Sequence, residues 1–458
     1  MEMIFEWINV VNSFIWGPPM MILLIGTGFW LTVGTRGVQV RQFGHAWRLT
    51  LRGAFRKGGA AAEDGDITPF QALMTAISAT VGNGNIAGVA TAIALGGPGA
   101  PVWMWLTGLV GMATKYSEAL LGIKYREQAP DGTKSGGPMY VLKNGLGIHW
   151  LGWIFSLFGA IAALGIGNLV QANSVAHVFR TELGISPLVT GIALAVLTWL
   201  VIIGGIKRIG TVAEVLVPVM CVAYFLGGLT IIVAKITEIP EAFSLIFRSA
   251  FSGHAAAGGF VGAGVAQTIR FGVARGIFSN EAGIGSAGIA HGAAQTRSPA
   301  RQGTIAMLGV FIDTIVINTM TTLSIVLTGT WATSLTGAAM TAHAFTNVLG
   351  PLGGWIVAFG SVTFGYSTLL TWSYYGLKCT DFLFGIKVSL PYRWLWCLAI
   401  VIGARFSSDL AGIKFIWNIA DTVNGAMAIP NLIALLWMSR LVFRETLAYS
   451  GNSEHSTG

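Results

Sequence analysis

The sequence specifies an all-α membrane protein of about eleven transmembrane helices: one N-terminal helix, then a 5+5 inverted repeat with two discontinuous helices. Three observations predict it. The 458 residues are 53% hydrophobic and 10% charged, with a mean hydropathy of +0.69. Soluble domains carry about 25% charged residues, so this chain cannot cover a water-soluble globule with polar surface. Uncharged runs extend from Trp7 to Thr35, Ile67 to Thr114 and Thr314 to Leu377, which is 29, 48 and 64 residues. A helix that crosses the hydrocarbon needs about 20 apolar residues. The third observation is a pair of Gly- and Asn-rich interruptions that fall five spans apart.

The spans are expected near 14–33, 68–96, 101–123, 150–171, 187–206, 212–236, 260–294, 303–327, 352–377, 391–411 and 415–438. The first is followed by a strongly basic loop and no small-residue cleavage site, so it reads as a retained span and not a signal peptide. The apolar runs lack the period-two alternation of a membrane barrel. The tenth is the weakest, since Arg393 and Arg405 bracket only 11 uncharged residues. The chain divides into an N-terminal helix and basic loop (1–66), a first five-helix repeat (67–237), an interfacial or extracellular segment (238–259), a second repeat (260–440) and a cytoplasmic tail (441–458). The tail from Ser450 is small and polar and reads as unstructured. Cys221, Cys379 and Cys397 form neither a metal spacing nor a disulfide framework.

Orientation follows from the basic residues. With the loop that holds Arg36, Arg41, Arg48, Arg52, Arg56 and Lys57 placed inside, nineteen Lys and Arg lie inside and five outside. Basic residues gather on the cytoplasmic face, which sets the N-terminus outside and the C-terminus inside, in a plasma membrane or bacterial inner membrane. The net charge of +8 is thereby explained by anionic lipid and calls for no nucleic acid.

The second span contains Ser78-Ala79-Thr80-Val81-Gly82-Asn83-Gly84-Asn85, and the seventh runs from Gly276 through Ile277, Phe278, Ser279, Asn280 and Glu281 to Gly285. Gly and Asn tolerate unwound backbone. Within a bilayer, unwound backbone is tolerable only where it is buried in protein or lines a polar cavity. An odd number of helices per set makes the second set enter from the opposite side. That is an inverted repeat with a binding site near the midplane.

Several blocks resemble one family. They are AISATVGNGNIAGVATAI from Ala76 to Ile93, Gly96 to Ala100, Trp103 to Trp105, Gly111 to Glu118, Gly136 to Tyr140, Gly167 to Ser174 and Phe278 to Ala287. Together they resemble the alanine or glycine:cation (sodium) symporter family, with Asn83 standing where Thr is commoner. The resemblance implies a LeuT-like fold, sodium as coupling ion, a small neutral amino acid as substrate, and Gln171, Thr368 and Trp372 as pocket positions.

A zwitterion's carboxylate and ammonium are both costly to desolvate without partners. A half-helix N-terminus offers free N–H groups and a positive dipole end. The N–H groups from Gly82 through Asn83 and Gly84 to Asn85, with the Thr80 hydroxyl, are therefore expected to hold the carboxylate. Carbonyls from Ile277 to Ser279 are expected to hold the ammonium. Sodium wants oxygen ligands, and the ninth span carries Ser367 and Thr368. By the LeuT-like resemblance this span faces the second-helix break, so the Ala79 and Gly82 carbonyls with the Ser367 and Thr368 hydroxyls form the expected sodium site. Asn168, Gln171, Phe278 and Trp372 are expected to line the remaining space, and a large indole there favours L-alanine or glycine.

Charges inside spans are expensive. Glu281 is expected in the first turn of the second half-helix, either capping it, pairing with Arg275, or acting as a gating or coupling group. Lys115 and Glu118 are spaced as a helical ion pair. Asp313 and Asn318 are expected to meet inside-face basic residues. No phosphate loop, His-Glu-x-x-His motif or catalytic cluster is present, so no enzyme is indicated. The sequence thus reads as a sodium-coupled amino acid carrier working by alternating access, without a cofactor or any metal beyond sodium, and with a monomer as its simplest state. A proton-coupled symporter using Glu281, or a channel, are the alternatives.

Overall fold

The computed structural model describes residues 10–55, 64–252, 264–406 and 410–455. Arg56, Lys57, His254 and residues 253–259 of the expected interfacial segment lie outside the described residues.

Every expected span is helical among the described residues. The elements are α1 (Val10–Gly34), α2 (Phe43–Phe55), α3 (Pro69–Thr80), α4 (Gly84–Gly96), α5 (Ala100–Lys124), α6 (His149–Leu183), α7 (Pro187–Ile202) and α8 (Gly205–Ala234). There follow α9 (Ile239–Ser252), α10 (Val265–Asn280), α11 (Ser286–Gly292), α12 (Pro299–Leu327), α13 (Gly337–Leu349), α14 (Pro351–Phe384), α15 (Ser389–Arg405), α16 (Leu410–Trp437) and α17 (Ser439–His455). Helices α3 and α4 are two halves of one broken span, and so are α10 and α11. Each pair opens a set of five.

Local sequence explains the boundaries. Thr68 starts α3 with a capping box: its hydroxyl accepts from the Gln71 N–H, and the Gln71 side chain returns to the Thr68 N–H. Pro69, Pro187, Pro299 and Pro351 stand in first turns, where a missing N–H costs nothing. Ser298 caps α12 four residues earlier than the sequence reading placed its start. Gly184 ends α6 with a left-handed residue.

Three elements depart from expectation, and the first is α2, a helix within the stretch expected to be a basic loop. Helix α13 lies between spans where no element was anticipated. The tail expected to be unstructured is helical as far as His455, because one face of α17 docks on the start of the chain. The Phe443 ring fills the space beside Gly34, the His45 ring meets the Tyr449 hydroxyl at 2.9 Å, and Gln42 donates to the Ser450 hydroxyl at 3.0 Å.

The core sits around the two broken spans, and apolar side chains also face outward. On α8, Val215, Val219, Val222, Leu226 and Val233 form an exposed stripe at helical spacing. Such a stripe suits lipid and not water. Small residues allow close crossings inside. A Cβ added at Gly122 of α5 would stand 2.6 Å from the Gly288 carbonyl oxygen of α11. Gly122→Val is therefore expected to force the helices apart and to lower the melting temperature in detergent by several degrees, roughly the effect of 1–3 kcal/mol of overpacking. An unchanged melting curve would refute this packing.

Candidate functional site

The first break leaves donors free in the middle of the protein. Helix α3 stops at Thr80, Val81 is extended, and α4 starts with a π-helical turn at Gly84–Gly88. The Asn85 side chain folds back so that its Oδ1 accepts the Gly82 N–H at 2.8 Å. The Asn85 N–H is taken by the Gly82 carbonyl at 3.1 Å. No side chain caps the start of α4. Its leading N–H groups, those of Asn83 and Gly84, stand at the start of a half-helix, where the helical ladder supplies no partner. Of the four residues expected to offer N–H groups, then, Gly82 and Asn85 spend theirs on each other. The Thr80 hydroxyl bonds back to the Ala76 and Ile77 carbonyls, each at 3.3 Å.

The second break lies one to three residues later than expected. Helix α10 continues to Asn280, and Glu281 N–H bonds the Ile277 carbonyl at 2.8 Å. The Ile277 carbonyl is therefore consumed, and the unsatisfied C-terminal carbonyls are those of Phe278, Ser279 and Asn280. Glu281 is the left-handed cap of α10, with φ of 55°, and not a first-turn residue of α11. It does not pair with Arg275, whose guanidinium lies over the Phe278 ring at 5.5 Å. The Glu281 carboxylate crosses the break: Ser286 of α11 donates to one oxygen and the Trp372 indole N–H donates to the other at 3.1 Å. The unwound N–H groups of Gly283 and Gly285 are held by Glu118 Oε1 at 2.9 and 3.1 Å, and the Asn431 side chain donates to the same oxygen at 2.9 Å. The expected Lys115–Glu118 ion pair is absent among the described residues, because Glu118 turns to the break.

A polar cluster joins the two breaks. Asn85 Nδ2 donates to Asp313 Oδ1 at 2.6 Å, to Asn318 Oδ1 at 2.9 Å and to Ser279 Oγ at 3.1 Å. Ser279 Oγ and Thr314 Oγ1 donate to Asp313 Oδ2 at 2.9 and 2.8 Å. Asp313 and Asn318 thus meet the first break and not inside-face basic residues. A π-helical stretch, Phe311–Ile317, carries Asp313, and such stretches recur at functional sites. Asp313 is fully buried and forms no ion pair among the described residues. Its partners among the described residues are neutral donors, so a charged Asp313 would need a cation beside it to offset its burial.

A second oxygen cluster lies between α3 and α14. Ser367 Oγ reaches the carbonyls of Ser78 and Phe364 at 3.1 and 2.9 Å. Thr368 Oγ1 reaches the same two at 3.3 and 2.9 Å. The Ser78 hydroxyl returns to the Ser367 carbonyl at 2.7 Å. The two expected hydroxyls are therefore in place, but the carbonyl that meets them is Ser78's and not that of Ala79 or Gly82. Gly82 is nonetheless adjacent, since a Cβ there would stand 3.0 Å from Thr368 Oγ1.

The walls come from several helices. Phe278 packs on Gly84, 3.5 Å from where a Cβ would be. Asn83 donates to Gln171 Oε1 at 3.0 Å, and Gln171 donates to the Ile166 carbonyl at 3.2 Å. Trp372 is buried, so it is no interfacial belt residue, and it packs against Gly167, where no side chain could fit. Asn168 turns away and donates to the Trp396 carbonyl at 2.9 Å. The sequence reading missed Ser78, Glu118, Asp313, Asn318 and Asn431. The usable signal was the five-residue spacing of Asp313 and Asn318, which shares a face only across a π turn.

Below the site, one end of the protein is fastened. The segment before α3 runs beside the segment after α11: Asp66 N–H and Ile67 N–H bond the Ala293 carbonyl, and Gln295 N–H bonds the Ile67 carbonyl at 2.7 Å. Arg126 donates to the carbonyls of Asp64, Gly292, Ala294 and Thr296 at 2.7, 3.0, 2.7 and 3.0 Å. Lys134 pairs with Asp64 at 2.8 Å, and this hydrogen bond holds the Asp64 carboxyl below the usual carboxylate range. The pair therefore persists above that lowered value and is lost as pH falls through it.

Comparison with known proteins establishes the family and the fold. The profile of the sodium:alanine symporter family matches residues 1–457. The chain belongs to that family. It is accordingly a multi-pass membrane carrier and not an enzyme. A sodium/alanine symporter, AgcS, from Methanococcus maripaludis is 50% identical over 97% of this chain and 96% of its own length. A probable sodium/glutamine symporter, GlnT, from Bacillus subtilis is 35% identical over 98% and 92%. Among solved structures, MhsT in complex with L-phenylalanine superposes with a TM-score of 0.56 at 12% identity, covering 84% of this chain and 99% of MhsT. This likeness confirms the LeuT-like fold.

Two predictions follow from the geometry. Gly84→Leu pushes a side chain into Phe278 and is expected to abolish uptake while protein still reaches the membrane; unaltered uptake kinetics would overturn the placement. Arg126→Gln removes the shared donor, so faster hydrogen exchange is expected at the amides of Asp66 and Gln295. Unchanged protection there would show that Arg126 does not fasten this end.

Proposed function

We propose that the protein takes up a small neutral amino acid, L-alanine or glycine, together with sodium, by alternating access. The observation that carries this reading is the Asn85 side chain, which bonds the first break at Gly82 and the second at Ser279 and so makes one site of two half-helix ends. In this reading the N–H groups of Asn83 and Gly84 hold the substrate carboxylate, and the carbonyls of Phe278, Ser279 and Asn280 hold its ammonium. Phe278, Trp372 and the Asn83–Gln171 pair limit the side chain to a methyl group or less.

Sodium occupies two places in this reading. One is the Ser78, Phe364, Ser367 and Thr368 oxygen cluster. The other is the Asp313, Asn318 and Ser279 cluster, beside the carboxylate of the cargo. The ion there neutralises Asp313 and holds Asn85, the residue that shapes the free N–H groups. Ion and cargo are thus coupled through one side chain. Glu281 has donors on both oxygens and serves to position Trp372 and α11, which favours sodium over proton coupling through this residue. In this reading the Arg126 end faces the cytoplasm, with the N-terminus outside and the C-terminus inside, which the bias of basic residues supports.

Radiolabelled alanine and glycine uptake into proteoliposomes tests the reading. An inward sodium gradient is expected to drive accumulation, and a proton gradient alone is not. Asp313→Asn keeps the shape and removes the charge. It is expected to raise the sodium concentration for half-maximal uptake at least about tenfold, which corresponds to ~1.4 kcal/mol. Glu281→Gln is expected to leave sodium dependence intact. Sodium-independent accumulation by the unaltered protein would sink the proposal.

A further inference from the structure

A cavity of about 250 Å³ lies away from the two breaks, between α7, α8, α14, α15 and the loop after α5. Its wall carries two cations, Lys378 and Arg393, and two carboxylates, Asp131 and Asp381. Among the described residues none of the four is in an ion pair. Lys378 is buried, donates to the Thr133 hydroxyl at 3.2 Å and lies over the Tyr374 ring at 5.6 Å. Asp381 accepts from Ser389 at 2.7 Å, and Asp131 from the Thr133 hydroxyl at 2.7 Å. Tyr374 and Trp396 also line the cavity. Both are almost wholly buried, yet among the described residues the Tyr374 hydroxyl, the Trp396 indole N–H and Arg393 Nε have no partner. Buried polar groups without partners are costly, so small side-chain rotations that bring these donors to a polar occupant would be favoured.

The sign pattern selects the visitor. A simple anion would face Asp131 and Asp381, and a simple cation would face Lys378 and Arg393. A molecule that carries an ammonium and an anionic group satisfies both. Ile202, Ile206, Ile209 and Leu377 complete the wall and suit a short aliphatic side chain. We propose that this cavity is a second, low-affinity binding site for a small zwitterion of the same class as the cargo. It rests on the transport reading only for the identity of that class. The site lies where its occupant can act on opening: Ile206 and Ile209 belong to α8, and Gly210, the next residue, packs on Ile67 and Gln71 at the start of α3. A zwitterion lodged between α8 and α14 ties together helices that flank the fastened end. Cargo accumulated on that side therefore slows its own uptake. A free amino acid and a phosphatidylethanolamine headgroup share this chemistry.

Equilibrium binding of radiolabelled alanine to the purified full chain, with and without sodium, tests the site. With sodium, about two alanines per chain are expected, and without sodium about one, saturating at millimolar concentration. Lys378→Gln and Asp381→Asn are each expected to remove the sodium-independent alanine, while the sodium-dependent one reports correct folding. Tyr374→Phe, which deletes one hydroxyl, is expected to weaken it severalfold. Loss of the sodium-independent alanine in phosphatidylethanolamine nanodiscs, with retention in phosphatidylglycerol nanodiscs, would assign the headgroup as natural occupant of the same site. A single sodium-dependent class in the wild-type protein, in detergent and in both lipids, would overturn the proposal. Absence of sodium-dependent binding with the other class intact would count against the transport reading alone.

Discussion

Everything in this structure depends on satisfying peptide groups that two spans release halfway through the bilayer. Hydrocarbon offers them no partner. The protein answers with side-chain oxygens, one from the same break and one from a distant helix: Asn85 for Gly82, and Glu118 for Gly283 and Gly285. These assignments leave a small remainder at the start of α4 and the end of α10. In the proposed function this remainder serves a zwitterion, with donors for its carboxylate and acceptors for its ammonium. The site is thus defined by subtraction: the protein consumes some freed groups and reserves others.

The carboxylates divide the labour by their surroundings. Glu118 and Glu281 receive donors from the second break and keep its backbone in shape. Asp313 receives neutral donors from the cluster between the breaks. The first two hold backbone in place, and the third is the one the proposed function assigns to a mobile cation. All three would look alike on a hydropathy plot.

Much of this was legible in the sequence. Apolar run lengths located the spans, and clustered Gly and Asn located both breaks, since few other residues tolerate such backbone. Ser367, Thr368, Gln171, Phe278 and Trp372 all lie around the breaks as anticipated. The failures concern direction, not position. Nothing in a linear chain says that Glu118 will turn from Lys115 toward Gly283, or that Ser78 and not Ala79 presents its carbonyl to α14. A shift of one residue rotates a helix by about 100°, and which way a carbonyl points near a break is decided by packing. The helical tail was missed for a related reason. Its polar residues suggest solvent, but Tyr449 and Ser450 are matched to His45 and Gln42, some 400 positions away.

The fastening by Arg126 has a mutational consequence. Four of its acceptors are main-chain oxygens, and a fifth is the Asp64 carboxylate, so the knot does not depend on the chemistry of the side chains at 294 and 296. A swap there for a side chain of similar size leaves the oxygens where they were, whereas a single codon change at 126 releases both segments, 64 and 292–296, at once. Robustness and fragility are therefore distributed unequally across one contact: positions 294 and 296 are constrained in size alone, and position 126 in chemistry as well.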